Sequence, residues 1–187
     1  MAYGRLILLL AVATAAVPFG KSPSMADAKP FTFNGVPIHP GLVREFETWL
    51  SDDTPSITTT VDLSAAFGTD EYSEPVDTSS SGLIRISHGE GWYGYKPLGQ
   101  MADGIHVLLT VSYGGGSGAF ATLVFVRLEE DESLTPLGAS FTRGLMSVAG
   151  QFSLGDREDA KIEVWPDRVV VGPSRYRTSP TTLDFGR

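Results

Sequence analysis

The chain contains no cysteine, which excludes disulfide staples, a thiol nucleophile, thiolate metal sites and lipid attachment through an N-terminal cysteine. An exported form of such a chain must be held by its core alone. Histidine is scarce: His39, His88 and His106 are the three in 187 residues, and no two stand at the spacing of a compact zinc motif. Basic residues are few as well. Fourteen lysines and arginines stand against 22 acids, a formal charge of −8, so there is no electrostatic footprint for nucleic acid or anionic lipid. No repeat period, heptad or cofactor fingerprint runs through the chain.

Long apolar runs are absent beyond the first residues. Arg5 precedes an apolar stretch from Leu6 to Val17, shorter than the roughly 20 residues a bilayer span requires. Pro18, Gly20 and Ser22 follow, then Ala26-Asp27-Ala28, a small-x-small cleavage pattern. Charge, short apolar core and small-residue exit read as a secretory signal over 1–28, against the alternative of a buried N-terminal helix. Removing Arg5, Lys21 and Asp27 with it leaves 12 cations and 21 acids, a charge of −9. Lys29 to Gly172 then reads as one β-rich globular domain and 173–187 as an irregular tail, with no membrane span after cleavage.

Residues 29–41 hold three prolines and two glycines and predict an extended lead-in. From Pro40, the residues Leu42, Val43, Phe46, Trp49 and Leu50 fall on one face of an amphipathic helix that Asp52, Asp53 and Pro55 end. After Ile57 the period becomes that of strands. ITTTVDL, GLIRISHG, WYGYKPLG, IHVLLTVSY, AFATLVFVRL, ESLTPLGASF, KIEVW and RVVVG are the predicted segments. VLLTV and LVFV are apolar on both faces and suit central strands covered on both sides. FGTDEYSEPVDTSSSG and EEDES (129–133) read as solvated connectors, and Pro166-Asp167 as a tight reversal. The expected fold is α+β: mostly antiparallel sheet or a partly open barrel, with one N-terminal amphipathic helix.

Gly114, Gly115, Gly116, Ser117 and Gly118 form the most site-like stretch. Gly116 to Ala121 matches G-x-G-x-x-A, but that motif requires a helix whose free amides hold a pyrophosphate. The following Phe120-Ala-Thr-Leu-Val-Phe-Val favours a strand instead. No Gly-Lys-Ser/Thr follows, and Ser117 lacks the flanking glycine of a nucleophile elbow. A hairpin tip is the remaining reading, one that lets a ligand or partner approach bare backbone. GGGSG-x-F, the apolar strand after it and Leu154-Gly155-Asp156-Arg157 together resemble a set of small exported bacterial domains of unknown function, over about 105–172. The resemblance implies an extracytoplasmic domain built on this hairpin and implies no activity.

Trp92, Tyr93 and Tyr95 offer either a stacking surface for a sugar ring or a protein partner, or simply large core residues. Tyr93 and Tyr95 share one strand face, while Trp92 and Lys96 take the other. The Asp156–Asp159 cluster suits a turn capped by its carboxylates better than a calcium loop, whose spacing is missing. No metal or cofactor is called for, and no catalytic residue is singled out. Two functions follow. One is a non-enzymatic binding domain for a protein, envelope component or glycan, using Trp92, Tyr93, Tyr95 and the glycine tip. The other is an extracytoplasmic hydrolase with an unfamiliar acid/base pair, such as Asp103 with His106 or the Asp156 cluster, set in a concave pocket.

Overall fold

The computed structural model describes residues 30–47, 58–157 and 159–185. The leader, the distal half of the expected helix with Trp49 and Leu50, and Glu158 lie outside the described residues. Strands β1 (Thr32–Phe33) and β2 (Val36–Pro37) form a hairpin around Asn34-Gly35. Both turn residues have positive φ, 50° and 80°, the two-residue geometry that Asn-Gly favours. Helix α1 (Pro40–Arg44) starts where His39 Nδ1 accepts from the Gly41 amide at 3.1 Å, with proline in its first turn. A 3₁₀ turn, Glu45–Glu47, continues it. Leu42, Val43 and Phe46 are buried and Arg44 is exposed, as the apolar periodicity requires.

The main sheet has seven antiparallel strands. Their spatial order is β3 (Thr60–Asp62), β9 (Ser140–Asp156), β8 (Ala119–Leu134), β7 (His106–Tyr113), β6 (Gly91–Gln100), β5 (Ile84–His88) and β4 (Asp77–Thr78). It curls into a half-barrel. Register shifts at Pro97/Gly99, Ala121/Thr122 and Phe125/Val126 lie in its central strands, and bulges increase local twist. A second sheet of β10 (Ile162–Val164), β11 (Arg168–Val171) and β12 (Thr181–Asp184) is also antiparallel.

Alternation along the central strands creates two cores. Leu108, Val124 and Val126 face α1, Phe31, Tyr93, Tyr95 and Met146. Val107, Leu123 and Phe125 face Val169 and Val171 of the smaller sheet, and Phe125 and Phe185 stand 4.3 Å apart. VLLTV and LVFV are thus covered on both sides, which explains their unbroken hydrophobicity.

Several expectations are corrected. A second short helix, α2 (Leu63–Ala66), follows β3 because Asp62 Oδ1 accepts from the Ala65 amide at 2.9 Å. EEDES is not a connector: it continues β8 and pairs with β9, where Arg143 binds Asp131 at 2.7 Å and Asp62 at 3.5 Å. ESLTPLGASF is not one strand, since the chain reverses at Thr135–Ala139. Pro136 lies in that turn, Gly138 takes φ 84°, and the Ala139 amide bonds Thr135 Oγ1. The tail after Gly172 is not irregular throughout, because β12 pairs with β11.

Candidate functional site

The structure places Tyr93 and Tyr95 on one face of β6 and Trp92 on the other, as strand alternation requires. Tyr93 and Tyr95 are 2% and 0% exposed, so neither presents a ring to a partner; both serve the core that α1 covers. The Tyr95 hydroxyl donates to the Ile38 carbonyl at 2.6 Å and fastens the N-terminal segment to β6. Trp92 lies half-buried on the opposite face, 6.2 Å from the Tyr113 ring, with the Arg85 guanidinium 6.0 Å from its centroid.

The glycine tip is a hairpin, and β8 begins at Ala119 with no helix after it. Asp156 Oδ1 accepts from the Ala119 amide at 2.8 Å, and Arg157 donates to the Ser117 carbonyl. The loop is therefore tied to the end of β9 by its own residues. Gly114 and Gly116 face open space, whereas a methyl on Gly115 would sit 2.8 Å from Glu90 Cβ. Gly118 packs against the Phe120 ring.

The acid/base candidates take structural partners. Asp103 pairs with Arg127 at 3.1 Å, while His106 is buried with Nε2 3.1 Å from Gln100 Nε2 and its ring 5.3 Å from Phe31. Asp159 meets Arg175 at 3.8 Å. Among the described residues, no cluster of three or more acids and histidines is arranged to hold a metal ion.

A concavity lies elsewhere, between the β1–β2 hairpin, α1, α2 and residues 67–76. It is a groove of about 180 Å³ whose walls include Phe33, Val36, Leu63, Phe67, Tyr72 and Val76. Val36, Phe67 and Val76 are 45%, 52% and 44% exposed, an unusual concentration of solvent-facing apolar side chains at one opening. Short local signals build it. Asn34-Gly35 turns β2 back over β1, Asp62 caps α2, and Gly68 with φ 77° ends that helix so that Phe67 stands outward. The Phe33 and Phe67 rings meet edge-on at 5.8 Å, and His39 meets Tyr72 at 5.9 Å.

Tyr72 also lines a wider cleft of about 420 Å³, together with Arg44, Glu45, Glu47, Glu71 and Glu74. Burial pushes the Glu47 carboxyl above its ordinary range, partly opposed by Thr110, Tyr93 and Arg44. Thr110 Oγ1 contacts both the Glu47 carboxyl and, at 3.1 Å, the Thr122 carbonyl. Thr110 thereby links Glu47 to the pairing of β7 with β8. Burial and the neighbouring Glu47 charge raise the Tyr93 phenol well above its usual value. Sequence reading missed the groove because its rim residues are scattered among loop segments; the Asn34-Gly35 pair was the available clue.

No family model matches this chain, and neither the curated proteins nor the solved structures contain a significant match to it.

Proposed function

We propose that this is an exported, non-enzymatic binding domain whose ligand seats an apolar group in the groove beneath Phe67. Export rests on the leader pattern of Arg5, Leu6–Val17 and Ala26-Asp27-Ala28. Binding rests on one observation above the others: Val36, Phe67 and Val76 converge, exposed, on a single apolar concavity. Apolar surface left in water around a concavity gains free energy when a ligand covers it. The groove replaces the aromatic strand as the binding surface, since Tyr93 and Tyr95 are committed to the core.

The hydrolase reading draws on Glu47 alone, whose raised pKa lies beside a concave cleft. Its bonding points the other way: Thr110 ties it to β7, where it anchors the segment after α1.

Octyl glucoside, kept below its micelle concentration, is a neutral probe for the groove. Titrated into the protein, it is expected to shift the NMR signals of Val36, Phe67 and Val76, and Phe67→Ala to weaken binding about tenfold, the equivalent of one partly buried aromatic ring. Shifts confined to Trp92 and Tyr113, or unchanged affinity in the variant, would remove the groove from the account. Mass analysis of the chain recovered from outside the cytoplasm tests export: a product beginning at Lys29 is expected, and an intact Met1 terminus contradicts it.

A further inference from the structure

The groove and the acidic cleft share the Tyr72 side chain as a common wall, and their chemistries differ. The groove is apolar. The cleft carries the carboxyls of Glu45, Glu47, Glu71 and Glu74, and Arg44 is the one permanent cation among its described lining residues. We infer that the ligand is a small amphipathic cation, with an alkyl or aromatic end in the groove and an ammonium or guanidinium centre over the cleft beyond Tyr72. This deepens the binding reading above and rests on it.

Charge complementarity selects the head group. Arg44 is partly engaged already, its guanidinium 6.0 Å from the Tyr93 ring and close enough to stabilise the Glu47 charge. Glu74 lies 3.9 Å from His39 Nε2, a partner that is cationic only when protonated. Glu71 has no ion-pair partner among the described residues. The cleft therefore keeps an excess of negative charge at neutral pH, and the Tyr72 phenol reports it. Burial, then Glu45, Glu71 and Glu74, raise its pKa, because a phenolate there would face like charge. An anionic head is repelled by the same field, and a neutral head gains nothing from it. Shape selects a small ligand: a narrow apolar groove beside a wider polar cleft accommodates a tail and a hydrated head, whereas a protein surface would meet mostly the rim.

Three probes with the same tail isolate the head: octyltrimethylammonium, octyl glucoside and octyl sulfate, each titrated calorimetrically below its micelle concentration at low and at physiological salt. The cation is expected to bind about tenfold tighter than the glucoside and the sulfate weaker than both, with the spread narrowing as salt screens the field. In a Glu71→Gln, Glu74→Gln double variant, two exposed positions, the ratio of cation to glucoside affinity should fall toward one. Equal binding of the three heads, preference for the sulfate, or a ratio unchanged in the double variant would overturn the cationic assignment while leaving the groove reading intact. Failure of all three tails to bind would remove both.

Discussion

Glu47 shows how one buried carboxyl ties local chemistry to global stability. Its folded-state pKa is raised by burial, so folding favours the protonated form. The associated stability is fully present below the unfolded-state value and is lost as pH climbs through the raised folded-state value. Thermal melts across pH 4 to 8 should therefore show wild type losing ground, relative to Glu47→Gln, as pH rises from the ordinary carboxylate range. The glutamine stays uncharged throughout and still offers an acceptor oxygen to Thr110, and parallel pH profiles for the two proteins would contradict this account of the site. Tyr95 makes the complementary case. Replacing it with phenylalanine keeps the core volume but strands the buried Ile38 carbonyl that its hydroxyl serves. A loss of about 1–3 kcal/mol in urea unfolding is expected, and an unchanged midpoint would show the bond to be incidental.

Among the elements, the strands with clean alternation or unbroken apolar runs were legible in advance. Ile84 and Ile86 point inward from β5 while Ser87 points out, and Pro166-Asp167 does reverse the chain, closed by the Trp165 amide on the Arg168 carbonyl at 2.8 Å. β9 escaped notice for a physical reason. Its glycines and small residues carry no hydrophobic pattern, because they leave room for rings from other elements: a methyl on Gly144 would meet Phe33 at 2.3 Å and one on Gly150 would meet Phe185 at 3.1 Å. The acidic half of β8 escaped for another reason: Glu129, Glu130 and Glu132 are solvent-exposed, so pairing with β9 rather than burial holds the strand there. The hairpin below the glycine tip offers a graded test. An alanine at Gly91 would place its methyl 2.2 Å from the Tyr113 carbonyl oxygen, against backbone that cannot yield without breaking the β6–β7 ladder, whereas Gly116 faces open space. Gly116→Ala should leave stability within about 0.5 kcal/mol, and Gly91→Ala should cost about 2 kcal/mol or more. Equal effects in chemical denaturation would show that the close approach at Gly91 is not a constraint.

At the scale of the whole molecule, the central strands of one curled sheet are buried on both faces, by the N-terminal segment on one side and by β10–β12 on the other. That the central strands are covered on both sides was readable from their unbroken hydrophobicity, whereas the second sheet with β12 and the groove were not. The groove forms where the β1–β2 hairpin closes on α2 and the segment through Tyr72, elements individually too short to announce themselves. Of the three aromatics that sequence left open between binding and core, Tyr93 and Tyr95 lie inside and Trp92 stays half-buried on the other face. Intermolecular NOEs from the alkyl protons of bound octyl glucoside test the account most directly. Contacts to the side chains of Val36, Phe67 and Val76 are the expected result; contacts to Trp92, Tyr113 or the glycine tip instead would contradict it.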